Sequence, residues 1–254
     1  MNLPSVSILM ATNKFDDYLI TSIDSCLQQT HSNFELILVV NGIEDHDFIK
    51  IISYCTDKRI TVLRTNIKKL TFSLNYGLNY CRSDLIARID ADDIAHPSRL
   101  AKQIDFMRSN PSISICGSNC DLIDSFGQKV GEWRFPETDV MIRKALYWKN
   151  PICHPSVILR KNVIEKIGGY SSLYAEDYYL WANLSVDSDI RFANLQENLI
   201  SYRADSPEHP RSLRKRRTKS SVAGIQMQLF AITGKISWLF ASILSLIKIM
   251  LYAK

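Results

Sequence analysis

The chain has 254 residues, 46% of them hydrophobic and 22% charged, with a formal net charge of +5. This is the composition of an ordinary folded globular protein, long enough for one large domain with appendages, and it holds no internal repeat or low-complexity tract. Six basic residues fall between Arg211 and Lys219, which leaves about −1 for the rest and excludes a general nucleic-acid-binding surface.

The six cysteines are scattered, with no Cys-x-x-Cys pair and no histidine close to Cys116 and Cys120. They read as buried thiols in a reducing compartment and not as a zinc site. Met1-Asn2-Leu3-Pro4 runs straight into a strand, so no secretory signal is expected.

Val6 to Ala11 is a continuous apolar run, which predicts a central strand, and a polar loop follows from Thr12 and Asn13 to Asp17. Tyr18 to Gln29 has helical spacing through Leu19, Ile23, Cys26 and Leu27. A second strand, Phe34 to Val40, ends at Asn41-Gly42, a pair that reads equally as a simple turn. Phe48 to Tyr54 predicts a helix, Ile60 to Leu63 a strand and Phe72 to Tyr80 another helix. The order βαβαβαβ then argues a parallel, doubly wound sheet.

The fourth strand, Leu85-Ile86-Ala87-Arg88-Ile89, stops abruptly in Asp90, Asp92 and Asp93. Carboxylates this close repel one another, so they must be solvated, paired with cations or wrapped around a metal. In an open α/β sheet such a cluster sits where ligands bind, beyond the carboxyl ends of the strands. Asp93 could equally cap the next helix, since Pro97, Ser98 and Arg99 follow.

Beyond it, Arg99 to Met107 predicts a helix stopped by Asn110-Pro111, and Ile113 to Cys116 a strand. Leu122-Ile123 and Lys129 to Arg134 predict a hairpin, and Asp139 to Trp148 a helix. His154 precedes a proline at a strand start, a structural position as readily as a functional one. Glu176-Asp177 begins a segment containing Trp181. It reads either as a capped amphipathic helix or as a helix N-terminus holding a carboxylate that accepts a proton. Ile190 to Leu195 and Leu199 to Arg203 predict two closing strands. Ile236 to Ile247 is mostly apolar and continues past Lys248, with Ser242, Ser245 and Lys248 as a polar stripe. That stripe favours a helix lying in a membrane interface over one crossing it, and the nearby cations suit anionic headgroups. The competing expectation is a helix packed on the protein itself.

The strand entering Arg88-x-Asp90-Ala91-Asp92-Asp93, followed by Pro97-x-Arg99-Leu100, resembles the nucleotide-sugar and metal-binding motif of family 2 glycosyltransferases. Three further pieces resemble the same family in order: the opening with Thr12-Asn13 and Gln29-Thr30, His154 to Arg160 with Gly168-Gly169-Tyr170, and Glu176-Asp177 to Trp181. The resemblance covers roughly residues 4 to 205. It implies the α/β GT-A fold, a Rossmann-like nucleotide-diphospho-sugar transferase fold with a mostly parallel central sheet, here with a C-terminal apolar helix. The domain would span 1–210, with a nucleotide-binding half (1–110) and an acceptor half (111–210). A basic and apolar membrane-associating segment, 211–254, would follow.

The activity so implied is inverting transfer of a hexose or N-acetylhexosamine from a nucleoside-diphosphate sugar, taken as a UDP-sugar. The acceptor would be a hydroxyl of a lipid-linked saccharide of the undecaprenyl diphosphate type, in bacterial O-antigen or capsule synthesis. By the resemblance, Asp177 is the catalytic base with Glu176 beside it. Thr12, Asn13, Asn41, Arg88, Asp90 and Asp92 hold the donor, and Asp92 and Asp90 bind a divalent cofactor, Mn2+ or Mg2+. His209, in a loop that would fold over the nucleotide, is a further metal ligand. The expected location is peripheral, on the cytoplasmic face of the inner membrane, with no nucleic-acid partner.

Two departures from the family pattern stand out. Asn41 occupies the place of a base-contacting aspartate and keeps a carbonyl acceptor without the charge. Ala182-Asn183 lacks the arginine that usually follows the tryptophan. Rival readings are a sugar-nucleotide pyrophosphorylase, although Thr12-Asn13-Lys14-Phe15 lacks the glycine-rich loop, and a nucleic-acid or lipid-binding module acting through Arg211 to Lys219. A glycosidase also needs two carboxylates, but it would consume finished glycans.

Overall fold

Strand β1 (Val6–Thr12) is apolar because both of its faces are covered: Val6, Ile8 and Met10 join one core layer and Leu9 the other. Asp16 caps α1 (Asp17–Leu27), its carboxylate accepting from Leu19 N at 2.9 Å. β2 (Phe34–Asn41), buried throughout, is followed by α2 (Asp45–Tyr54), β3 (Ile60–Thr65), α3 (Leu70–Leu78) and β4 (Leu85–Arg88). This is the predicted βαβαβαβ order, and the strands pair in parallel as β3-β2-β1-β4. Helix α3 comes close to the sheet at Gly77, where a Cβ would lie 2.5 Å from Leu9 Cδ1 and 2.9 Å from Val39 Cγ2.

The second half is less regular. After β5 (Ile94–Ala95) come α4 (Arg99–Ser109), β6 (Ile115–Ile123), β7 (Lys129–Trp133) and α5 (Asp139–Leu146). A single 3-10 turn at His154–Ser156 leads into β8 (Ile158–Arg160), α6 (Lys161–Lys166), α7 (Glu176–Leu184) and β9 (Phe192–Arg203). Among the described residues nine strands form one sheet, β3-β2-β1-β4-β8-β6-β9-β5, with β7 on the side of β6. Six of the nine run in one direction, with β5, β7 and β8 opposed. The computed structural model describes residues 3–171, 174–204 and 211–251, and of 211–216 the backbone alone.

Two expectations change here. The short strands predicted at 113–116 and 122–123 are one strand, β6, and the two closing strands are one twelve-residue strand, β9. Polar residues made both look broken. Asn119 is nevertheless buried and fully used: its amide donates to Gln196 O at 3.0 Å, and its carbonyl accepts from Phe135 N at 2.8 Å. The parallel ladder shifts register at that point.

Helices α8 (Arg211–Thr233) and α9 (Ile236–Leu251) form a hairpin around Gly234, whose φ is +67°. The hairpin packs on the domain. Ile225, Leu229 and Trp238 join the core layer that holds Trp181, and the Trp238 ring lies 4.4 Å from that of Tyr147. The Gln226 amide donates to Tyr147 O at 3.2 Å and to the Tyr178 hydroxyl at 3.0 Å. Of the polar stripe expected to face water, the two serines are turned inward and Lys248 stays exposed. Ser242 donates to Ala223 O at 2.9 Å and Ser245 to Gln226 Oε1 at 2.8 Å, because α8 offers both serines a partner. The apolar side of α9 is therefore the exposed one, with Phe240 57% and Met250 73% accessible. Among the described residues, no helix is long and apolar enough to cross a membrane.

Candidate functional site: an acidic turn and a half-buried base

β4 ends where the chain turns through Asp90, Asp92 and Asp93, each of which offers one carboxylate oxygen within 4.8 Å of the others. Asp93 does not cap α4, whose cap position is Ser98. It is 1% exposed: one oxygen accepts from Arg203 N at 2.9 Å, and the other is buried with no partner among the described residues. Burial, then Asp90 and Asp92, push the Asp93 carboxyl well above the ordinary range. Asp92 is also raised, by burial and by Asp90. A compact set of hard oxygen donors, one left unpaired in the interior, fits Mn2+ or Mg2+ and does not fit a thiophilic metal.

The turn is pinned from several sides. Arg99, fully buried and lowered to about 10 by that burial, donates to Arg88 O at 2.7 Å and Val157 O at 3.1 Å. Gln29 donates to His96 O at 2.8 Å and accepts from Leu100 N at 3.0 Å. Arg203 donates from Nε to Asp92 O at 3.0 Å and lies 4.2 Å over the Tyr18 ring.

A cavity of about 380 Å³ opens over the ends of β1, β2 and β4, and Thr12, Asn13, Asn41, Asp90 and Asp92 all line it. Asn41 is thus more than a turn residue, being the last position of β2 with its side chain at the cavity. Gly42 beside it has φ +59°, and a Cβ there would run into the Lys68 side chain, which also borders the cavity. Thr12 spends its hydroxyl locally, donating to Lys14 O at 2.8 Å.

A second cavity, of about 530 Å³, shares Asp90, Leu70 and Tyr202 with the first and adds Arg88, His154, Glu176 and Asp177. The Arg88 guanidinium is ion-paired to Asp90, and its Nε and Nη1 are buried with no partner among the described residues. Burial works against its charge, but Asp90 outweighs that and holds Arg88 above its ordinary value. Trp133 and Phe135 form an aromatic wall, with the Trp133 ring tilted against that of Tyr202 at 4.9 Å. Such faces suit sugar rings.

Asp177 sits in the first turn of α7 and has both oxygens held. Asn150 Nδ2 donates to one at 2.6 Å and Tyr178 N to the other at 2.7 Å. Burial and the neighbouring Glu176 still raise the carboxyl to about 6, against the pull of Tyr178 N, Arg88 and Asn150. That is a suitable value for a base working near neutrality. The residue before the helix, Ala175, has φ +59°, the one non-glycine with positive φ among the described residues. Trp181 is buried in the core as the plainer expectation had it. His154 is buried and held neutral by burial, with its ring nitrogen 3.1 Å from the Tyr170 hydroxyl. Its place is structural, at the cavity wall. His209 lies outside the described residues.

No sequence pattern marks out Asn150 or Lys68, which are polar residues in loops. Arg203 reads in the sequence only as the end of an expected closing strand, and Asp93 as one carboxylate of the acidic cluster or as a helix cap. The closing of β9 on β5 is what brings Arg203 to the acidic turn.

Parallel strands ending in a cavity with an acidic turn, beside a second cavity with a half-buried carboxylate, make up a transferase of the GT-A fold. The chain belongs to Glycosyl transferase family 2, whose sequence profile matches residues 7–168. It is 38% identical over 205 residues to the O-antigen biosynthesis glycosyltransferase WbnJ of Escherichia coli, covering 79% of this chain and 80% of that one. It is 31% identical over 210 residues to the Escherichia coli UDP-Gal:alpha-D-GlcNAc-diphosphoundecaprenol beta-1,3-galactosyltransferase, covering 79% and 74%. The fold matches the mannosyltransferase of Pyrobaculum calidifontis in complex with GDP-Man and Mn2+ with a TM-score of 0.67. That match has 12% identity and covers 97% of this chain and 75% of that one.

Proposed function

We propose that the protein is an inverting, metal-dependent glycosyltransferase of surface-polysaccharide synthesis. It moves a hexose or N-acetylhexosamine from a UDP-sugar to a hydroxyl of a lipid-linked saccharide. The observation that carries this reading is the pair of joined cavities, with donor-side residues and the acidic turn in one and Asp177 in the other, meeting at Asp90.

Thr12, Asn13 and Asn41 border the space for the nucleoside, where the Asn41 carbonyl can accept from a pyrimidine N–H. Asp90, Asp92 and Asp93 would hold a divalent cation, which when bound supplies the positive charge that offsets the departing diphosphate. Arg88, at the wall of the second cavity and ion-paired to Asp90, keeps positive charge beside the donor sugar or diphosphate. Asp177, held by Asn150 and Tyr178 N, takes the proton from the acceptor hydroxyl. The acceptor oxygen forms its bond to the anomeric carbon as the bond to the diphosphate oxygen breaks, so the carbon inverts. Glu176 keeps negative charge beside Asp177 and raises its basicity.

The same reading places the protein on the cytoplasmic face of the inner membrane, attached through the exposed apolar side of α9. Because the hairpin is part of the core, removing it would strip the domain of Trp238 and Leu229 and expose their partners. Surface substitution is the cleaner test. Phe240→Ser with Ile247→Ser should move the protein from the membrane pellet to the supernatant, and unchanged pelleting counts against the attachment.

A panel of sugar nucleotides with Mn2+ or Mg2+, scored for nucleoside diphosphate release, tests the activity. Release from a UDP-sugar, faster with a lipid-linked saccharide present, is expected. Formation of a sugar nucleotide from a sugar phosphate would establish a pyrophosphorylase instead.

A further inference from the structure

The hairpin does more than cover the domain. A third cavity, of about 340 Å³, lies between it and the loop after α5, and Lys149, Lys219 and Lys248 all line it. The three lysines come from three separate segments: the loop, α8 and α9. Asp177 and Asn150 line the same cavity, and Asp177 is the sole carboxylate among the described residues that do. Lys149, Asn150 and Asp177 also line the 530 Å³ cavity, so the base stands where the two spaces join.

Three lysines lining one cleft can turn their flexible ammonium groups onto a multiply charged anion. A carboxylate base alone would not call for them. The cleft does not border the acidic turn, since Asp90 and Asp92 line the other cavities and are absent from this one. The anion is therefore not the donor diphosphate. Lys248 lies on α9, where Leu244 and Leu251, one turn away on either side, are exposed, so an apolar chain leaving the cleft would meet an apolar surface.

We infer that this cleft binds the diphosphate of the lipid-linked acceptor, with Lys149, Lys219 and Lys248 as its cationic ligands. The inference rests on the transferase reading above. A diphosphate held there leaves the sugar attached to it next to Asp177 and the lipid chain at the exposed side of α9. The C-terminal segment thereby becomes part of the acceptor site as well as a membrane attachment.

Trp148 lines the cleft and is 56% exposed, so its fluorescence can report binding. Full-length protein in detergent, with UDP and Mn2+ present to fill the donor site, would be titrated with farnesyl diphosphate, farnesol and short-chain phosphatidylglycerol. Farnesyl diphosphate should bind at least about tenfold more tightly than either of the others. Lys219→Gln with Lys248→Gln should weaken it by roughly tenfold or more, whereas Lys219→Arg with Lys248→Arg should retain it. Thermal melting by circular dichroism separates a misfolded variant from one that has lost a ligand. Equal binding of farnesol would show that the cleft reads only the chain, and equal binding of phosphatidylglycerol that it reads bulk headgroups. Either result overturns the assignment, as does a glutamine variant that melts normally and binds as before. Failure of UDP to bind at all would instead overturn the transferase reading, and a separate UDP titration detects that.

Discussion

The site contains two groups of carboxylates that neighbour each other in space but answer to different physics. Asp90, Asp92 and Asp93 crowd one turn, and the most buried of them has an oxygen with no partner among the described residues. Burial and mutual repulsion raise Asp92 and Asp93 together, so that group is at rest only when positive charge is added. Glu176 and Asp177 are a pair at a helix start, and Asp177 already has Asn150 and Tyr178 N as donors. Its carboxyl settles near 6 without help from outside. The first group is built to bind a cation and the second to exchange a proton, although both are aspartates a short distance from Arg88.

Breaking the first group should have the larger effect. Asp92→Ala leaves the diphosphate without its counter-charge, so transfer should fall by about 10³-fold or more and metal-dependent UDP binding should weaken with it. Excess chelator should reproduce the loss in the parent protein. Calorimetry of UDP with and without Mn2+ checks the first point, and full activity in chelator would sink the cation assignment.

Breaking the second group should spare binding. Asp177→Asn keeps the shape and removes proton acceptance, so turnover should fall by roughly 10²-fold or more while UDP binding persists. In the parent protein the competent form is the carboxylate. The rate should therefore be level above pH about 6 and fall tenfold per unit as pH drops below it. A profile level down to pH 4 would mean that Asp177 is not the titrating base. Asn150→Ala sharpens the same contrast. Losing that donor disfavours the anion, so the acid limb should move upward and turnover drop by about tenfold, with the donor KM little changed. A variant that loses rate without moving the limb would make Asn150 a structural residue only.

Legibility in the sequence divides along the same line. The nucleotide half could be read because β1 and β2 are buried on both faces, so apolar runs mark them and polar loops mark their carboxyl ends. Gln29 and Arg99 belong to motifs whose physical purpose becomes clear only in the fold, where both clamp backbone carbonyls around the acidic turn. In the acceptor half the informative contacts are long-range. Asn150 meets Asp177 across 27 positions, and Arg203 meets Asp93 across 110. No local pattern encodes such pairs. The tail misled for a different reason: a stripe of serines has the same spacing whether it faces water or a second helix, and only the partner, Gln226 of α8, decides.

The smallest effect concerns the backbone that sets Asp177 in place. Ala175 has φ +59° and ψ +43°, a left-handed conformation that costs an L-residue roughly 1–2 kcal/mol. Glycine would remove that cost, yet it loses about 0.5–1 kcal/mol to chain entropy and about 0.8 kcal/mol for the buried methyl. These nearly cancel, so Ala175→Gly should leave stability within about 1 kcal/mol of the parent. Ala182 provides the comparison. It is fully buried inside α7 with ordinary helical backbone, so Ala182→Gly has no strain to release and should cost roughly 1.5–2 kcal/mol. Urea midpoints of the two variants measure the difference, which is the strain held at the helix start. Equal losses would mean that the turn before Asp177 is not strained, and the base would then owe its position to Asn150 and the burial of α7 alone.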